Sequence, residues 1–451
     1  MYNIQNFGAV ADGKTNVTAT VQKAVDACYK DGGGVIYIPF GTYVLASVHL
    51  YSNIHFVFEP GAKLLGSFNM DDFDEREKLD YPLYQDVSHS YFRRAMFWGE
   101  NCENISFSGN GTIDMREVWE NDPVEGADEW INRRAAKIFA LKNCKSVSIK
   151  DLQMYNATDL AIYMAGCEDV IISSITMKVN IDGISPDCCK NIIISDCNII
   201  AGDDGIVLKS SYALNEKRHC ENIVISNCIV SSRMCAIKIG TETNGDFRNI
   251  AINNCSIYDT CLTGLALEIA DGGNMDGVSV SNIVMKNVGT PFIVMLTDRR
   301  NGPKGTKLGS IKNVVIDNLV ANGPYGFIEP IRYTTAIADE ALFNKPTVIT
   351  SSVIGQPQSH IENISLSNIY ITVPGGGKAE DREIVVPEKD KVTPAASAFG
   401  SVLPAYGIYF RHAKGVRCNN VHVFAIEDDA RDALKFDNCE MDAIKQQEET
   451  K

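Results

Sequence analysis

Short apolar runs headed by Asn or another small polar residue recur down most of this chain, and that repetition constrains the fold more than any other feature. Asp169-Val170-Ile171-Ile172, Asn191-Ile192-Ile193-Ile194 and Asn222-Ile223-Val224-Ile225 are three examples. Starts of this kind occur at Asn53, Asn104, Ser146, Asp169, Asn191, Asn222, Asn249, Gly277, Asn313, Asn363 and Asn420. From Ser146 to Gly277 successive starts are 23, 22, 31, 27 and 28 residues apart. A unit of that length, built of β-branched runs and small or polar turns, cannot bury its apolar side alone and must stack on copies of itself. The pattern predicts an all-β chain folded as a right-handed parallel β-helix.

The opening of the chain differs. Phe7-Gly8-Ala9-Val10-Ala11-Asp12-Gly13 is turn-rich, residues 18–29 carry apolar positions at helical spacing, and Gly32-Gly33-Gly34 stops that helix before a strand at 35–39. A helix here would cap the first coil, whose end would otherwise expose core. A length of 451 residues would ordinarily suggest two or three domains. The continuous repeat instead predicts one, with the cap and first coil at 1–50, central coils and a groove at 51–320, and C-terminal coils with long loops at 321–451. Long gaps between starts mark insertions at 70–98, 114–135, 322–360 and 373–404. Charged and aromatic residues concentrate there (Tyr91-Phe92-Arg93-Arg94, Trp119, Trp130, Arg133-Arg134, Arg332-Tyr333), as does Gly375-Gly376-Gly377. On a solenoid such insertions emerge as loops that can wall a cleft.

Fourteen cysteines look at first like a disulfide scaffold. Their placement argues otherwise. Cys102, Cys144, Cys167, Cys189, Cys220 and Cys418 each stand two residues before a start, and Cys197, Cys228 and Cys255 six residues after one, where other coils carry Leu152, Ile175, Ile283, Leu319 or Ile369. Cysteine in these rows replaces a small aliphatic residue, which predicts reduced, buried thiols. A net charge of −15 disfavours nucleic acid and anionic membrane as partners. No apolar run is long enough to span a bilayer, and no secretory signal heads the sequence. A cytoplasmic location is expected, or a secreted one if a leader has been removed. The seven histidines show no metal-ligand spacing, so neither metal nor cofactor is expected. Oligomeric state is left open.

The repeat also stacks acids. Asp182 lies 13 residues after Asp169, and Asp204 lies 13 after Asn191 with Asp203 just before it. In adjacent coils, roughly 4.8 Å apart, the three carboxylates would share one patch. Such crowding is costly unless the site does acid–base work or binds a cation. The same offset picks out Asp159 after Ser146 and Cys235 after Asn222. Gly202 and Gly205 flank the paired acids and free the backbone for a tight path. Asp and Asn also favour β-helix turns for purely local reasons, but a stacked trio between glycines is more than that preference requires. Paired carboxylates are what glycoside hydrolysis uses: one donates a proton to the departing oxygen, and the other activates water or attacks the sugar.

Asn180-Ile181-Asp182-Gly183 and Gly202-Asp203-Asp204 resemble the N-x-D and G-D-D motifs of glycoside hydrolase family 28, the polygalacturonase family. The stretches 7–13 and 33–39 are similar to the opening of the pectin-degrading β-helix superfamily. The resemblance implies an inverting hydrolase with Asp203 as general acid and Asp182 and Asp204 holding the water. Two-carboxylate inversion ordinarily uses a separation of roughly 6.5–9.5 Å, which diagonal placement across coils would supply. Two family motifs are missing. The G-H-G position falls at Arg233-Met234-Cys235, and the R-I-K position at Ala266-Leu267-Glu268. Glutamate in place of lysine would repel a uronate. The expectation is an exo-acting hydrolase of pectin-type or related plant cell-wall oligosaccharides with altered specificity, for a neutral sugar such as rhamnose or for a rhamnogalacturonan or xylogalacturonan linkage. Asp159, Lys209, Cys235, Lys238, Glu242, Glu268 and Asp271 are the candidate substrate-binding residues. Lys209, Lys238, Arg299 and Arg300 are candidates to replace the lost cations.

Two other readings compete. A polysaccharide lyase on the same scaffold would use the acid trio as a calcium site. A non-catalytic carbohydrate-binding β-helix would keep the acids as relics.

Overall fold

The computed structural model describes residues 1–85, 87–89, 92–118, 135–323, 325–329, 344–389 and 391–442. The parallel β-helix follows directly from the repeat. In the coil carrying Asp182, the strands Glu168–Ser173, Thr176–Val179 and Ile184–Asp187 lie on three successive sides. Each pairs in parallel with its counterpart one coil on, Lys190–Ser195, Asn198–Ala201 and Ile206–Ser210. Alternate residues point inward, so like residues stack: Ile184, Ile206, Ile237, Leu265 and Phe292 form one buried row. Further along, the three sides merge into continuous bent strands such as Phe247–Ile269 and Asn274–Leu296.

The Asn-headed starts are the corners. Asn53, Asn104, Ser146, Asp169, Asn191, Asn222, Asn249, Gly277, Asn313 and Asn363 all have positive φ, between 54° and 78°. Asn reaches this left-handed conformation more readily than other side chains with a Cβ. Their amides also chain together, Asn249 donating to Asn222 at 2.8 Å and Asn222 to Asn191 at 3.0 Å. A second left-handed corner sits five residues on, at Asn227, Asn254, Asn282, Asn318 and Asn368. Asn420 belongs to this second row, since it pairs with Asn368. The start of that coil is Gly415, with φ 63°. The expected register there is therefore off by five, because glycine hides the corner that Asn marks elsewhere. Cys418 moves with it, lying opposite Leu366 in a core row.

All fourteen cysteines are free thiols, buried or half-buried. The helix is Thr18–Lys30, with Val21, Ala24, Val25 and Cys28 turned onto the first coil, and the strand Gly34–Ile38 follows. Among the described residues no helix is long and apolar enough to cross a membrane. Within the expected insertion at 322–360, the strand Ser351–Ile354 is part of a coil, pairing with Ile293, Val294 and Met295 on one side and the strand Ala405–Glu427 on the other. Trp119, Trp130, Arg133, Arg134, Arg332, Tyr333 and Tyr91 lie outside the described residues.

Candidate active site

The acids occupy the corner that precedes the third strand of each coil. Gly183 N–H donates to the Asp204 carbonyl at 3.0 Å, and Gly205 N–H to the Cys235 carbonyl at 2.9 Å, so Asp182, Asp204 and Cys235 succeed one another up the axis. Gly183 and Gly202 are obligatory in this packing: a Cβ on either would come within 2.5 Å of a backbone oxygen on a neighbouring coil. One carboxylate oxygen from each of Asp182, Asp203 and Asp204 lies within 4.8 Å of the other two. Asp182 and Asp204 are buried and Asp203 is partly open. This is tighter than the separation expected for inversion. Asp203 and Asp204 are chain neighbours and Asp182 is one strand spacing away, which holds all three together.

Each buried acid is held by donors on both oxygens. Asp182 accepts the Asp204 N–H at 3.2 Å and the Ser185 hydroxyl at 3.4 Å. Asp204 accepts the Cys235 N–H at 3.1 Å, and Lys238 Nζ lies 3.1 Å from its other oxygen.

Among the described residues three cations reach this floor, and each brings a carboxylate. Lys209 Nζ lies 2.7 Å from Glu242, and Lys238 lies 4.0 Å from Glu268 as well as against Asp204. Arg299 forks onto Asp271 with contacts of 2.6 and 3.0 Å, and stands 4.0 Å from Glu242. Burial works against charge on Lys209, but Glu242 and Asp182 outweigh it and hold its ammonium above the ordinary lysine value. Burial pushes the Glu268 carboxyl up to about 7, with Lys238 opposing and Asp204 adding to the rise. Arg300 is turned away, pairing with Asp298 at 2.7 Å.

Two candidates are placed differently from expectation. Asp159 is not in the acid column. Ala161 N–H donates to the Asp182 carbonyl, as Gly183 N–H does to that of Asp204, which puts Leu160 opposite Asp182. The preceding corner is one residue longer than the offset assumed. Asp159 is buried and pairs with Lys137 at 3.0 Å. Cys235 is in the column, but its thiol is buried in an apolar cluster with Ala266, Ile293 and Met295. It serves the acids through its N–H. Arg233 is buried too, donating to the carbonyls of Asp259 and Glu329 at 3.2 and 2.5 Å.

A second buried cluster, not among the expected site residues, lies beside the floor. Asp187, on the outward register shared with Lys209, accepts hydrogen bonds from Ser211 N–H at 2.8 Å and from the Tyr163 hydroxyl at 3.1 Å, and His89 lies 3.6 Å away. Burial alone would raise the Asp187 carboxyl, but His89 and Ser211 more than offset that and hold it low. Asp187 and Lys209 follow Asp182 and Asp204 at the same offset of five, which was a usable signal. His89 comes from an insertion outside the repeat, so nothing in the periodicity marks it.

That insertion walls one side of the acids. Phe92 packs with Leu160, Tyr163, Ala165 and Ile181, and Tyr81 donates to the Ala213 carbonyl at 2.7 Å across the sheet. On the other side Val386, Ala396, Phe399 and Leu403 lie over Cys235, Ala266, Ile293 and Met295. Arg411 pins this second wall by donating to the Val386 and Pro387 carbonyls at 2.9 and 3.1 Å.

Comparison with known proteins agrees with the fold. A probable polygalacturonase of Vitis vinifera is 25% identical over 313 residues, 64% of this chain; the match spans 62% of the grape protein's own length. An exo-poly-alpha-D-galacturonosidase of Dickeya chrysanthemi is 22% identical over 82% of this chain and 68% of its own. The crystal structure of a hyperthermoactive exopolygalacturonase from Thermotoga maritima superposes with a TM-score of 0.66 at 19% identity, over 92% of this chain and 91% of that one. The model of glycosyl hydrolases family 28 matches residues 74–324, more than half of the chain and the whole of the acid column, and the chain belongs to that family.

Proposed function

We propose that the protein is an inverting, exo-acting glycoside hydrolase that removes a neutral sugar from the end of pectin-type or related plant cell-wall oligosaccharides. Asp203, the most open of the three acids, donates the proton to the leaving oxygen. Asp182 and Asp204 hold and activate the water.

The observation that carries the specificity is that Lys209, Lys238 and Arg299, the cations on the floor among the described residues, are all paired. A uronate carboxylate would have to displace Glu242, Glu268 or Asp271 from Lys209, Lys238 or Arg299, and would meet their charge in doing so. The hydroxyls of a neutral sugar ask only for the remaining donor and acceptor positions of those pairs.

Exo action is supported by the two walls. The floor between them runs from the strand Ile184–Asp187 to the run carrying Glu268. That is three strand spacings, about 14 Å, a length suited to a chain end rather than to the middle of a polymer. Inversion rests on the family resemblance, since the acids stand closer than the ordinary spacing for it.

A calcium-dependent lyase finds less support, because the ammonium of Lys238 already supplies the positive charge beside Asp204 that such a metal would bring. The relatives' names favour galacturonate release, and that is the outcome the test must separate. Purified protein incubated with polygalacturonan, rhamnogalacturonan oligosaccharides and a panel of aryl glycosides, followed by NMR as products form, is expected to give an inverted neutral sugar with polygalacturonan untouched. Galacturonate from polygalacturonan would overturn the specificity, and a product of retained configuration would overturn inversion.

A further inference from the structure

We propose that Lys238 is the positioning residue that decides which of the three acids stays ionised, and that Glu268 holds it in place. This rests on reading Asp182, Asp203 and Asp204 as the catalytic acids.

The need is plain from the geometry. Hydrolysis wants one carboxyl protonated and its neighbours charged, yet three acids this close could share protons in several ways. An asymmetric countercharge removes the ambiguity. Lys238 lies opposite Val207, outward from the core, one coil on from the strand that follows Asp204. Its Nζ is 3.1 Å from Asp204, whose other oxygen is already occupied by the Cys235 N–H.

Glu268 sits where the family resemblance places a lysine. It is buried, and its Oε2 makes no hydrogen bond. Lys238 stands 4.0 Å away. The backbone beyond Lys238 closes over it: Gly240 has φ 114°, and a Cβ there would meet Glu268 at 3.0 to 3.3 Å. The pair is therefore built into the coil, with an anion at 268 where the family resemblance places a cation. Around it stand Glu242, Lys209, Cys235 and Arg299.

Burial opposes the charge on Lys238, and Asp204 with Glu268 outweighs it, so the ammonium stays charged throughout the working range. Glu268, raised to about 7, is neutral in mild acid and charged above neutrality. In acid Lys238 therefore serves Asp204 alone. Above neutrality the Glu268 charge helps the acid keep its proton.

The test is a pH profile of kcat/KM on the best substrate from the product screen, with Asp203→Asn run beside it. Lys238→Met is expected to lower kcat at least tenfold and to move the acidic limb to higher pH. Lys238→Arg should restore most of both. Glu268→Gln, which keeps the volume, should leave the acidic limb in place and move the basic limb to lower pH. Wild-type limbs in both Lys238→Met and Glu268→Gln, beside an inactive Asp203→Asn, overturn the proposal. Should Lys238→Met fail to fold, an unmoved basic limb in Glu268→Gln does so alone. An active Asp203→Asn instead places the error in the reading of the acids.

Discussion

Lys137 Nζ lies 3.0 Å from Asp159 Oδ2, and both side chains are withdrawn from solvent, Asp159 one coil below Asp182 and Lys137 two. The Asp159 Oδ1 also accepts the Leu160 N–H at 2.8 Å, which fixes the corner leading into the strand Ile162–Ala165. Removing one partner takes this ion pair from a buried charge. Lys137→Met is therefore expected to lower the unfolding free energy by about 3–5 kcal/mol, and Lys137→Met with Asp159→Leu to recover much of it. Urea denaturation of the single and double variants decides this. A single variant as stable as the parent would show that Asp159 sheds its charge without Lys137.

Asp203→Asn keeps the shape of the corner and removes only the carboxyl proposed as the proton donor. A general acid is worth roughly 10²–10⁴ in rate, so the variant should lose at least a hundredfold in kcat with its melting temperature within a degree or two of the parent. Comparable turnover in the Asn variant would assign the acid role elsewhere.

Glu268 leaves a signature in stability as well as in rate. Its carboxyl is raised from 4.5 to about 7 in the folded chain, first by burial and then by Asp204, with Lys238 opposing. Between those two values the native state binds the proton more tightly than the unfolded chain, so stability falls as pH rises. The contribution is complete below about 4.5 and gone above about 7. Glu268→Gln should flatten this segment of the stability curve and leave the variant more stable than the parent at pH 8. Chemical denaturation at half-unit intervals from pH 4 to 8 measures it; parallel curves for the two proteins would count against a buried, titrating Glu268.

The corners of the β-helix can be tested one rung at a time. Asn222 has φ 57°, donates to Asn191 and accepts from Asn249. Alanine there keeps the unfavourable conformation and breaks two rungs, at a cost of about 1–2 kcal/mol from the backbone alone. Glycine relieves the backbone term, so Asn222→Gly should unfold at a higher denaturant midpoint than Asn222→Ala. The reverse order would mean that the amide chain, not the left-handed corner, explains the Asn repeat.

That repeat is why so much was legible from sequence. Asn marks a backbone conformation that few residues accept, so the corner at Asn222 or Asn363 is written in a single letter. Asp182 and Asp204 could be stacked by counting from such corners. The count failed at Asp159, where the corner gains a residue, and at Asn420, where Gly415 takes the corner without an amide to announce it. The charged floor was half visible. Lys209 and Lys238 lie on strands with a known register, but Glu242, the partner of Lys209, follows a break in the pairing between Leu208 and Ser210. His89, Phe92 and the wall at 384–405 come from insertions. Their positions are set by contacts across the sheet, and no local pattern encodes those.

The second wall offers a direct test of exo action. Phe399 and Leu403 pack over Ala266, Ile293 and Met295 through apolar contact, and Arg411 stands 4.7 Å over the Phe399 ring. Truncating either side chain to alanine costs about 2–5 kcal/mol where the residue is fully buried. The coils beneath have their own core, so this loss should fall on the segment and not on the solenoid. Phe399→Ala with Leu403→Ala would then loosen the wall and open the floor toward the C-terminal coils. If the wall is what confines the enzyme to chain ends, the double variant should release longer fragments early in the digestion of a polymeric substrate, while turnover on a short aryl glycoside changes little. Chromatography of the first products reads the size distribution. Monomers alone from both proteins, with thermal melts showing that the solenoid stayed intact, would place the exo-determining contact at the opposite wall, on Phe92 and its neighbours.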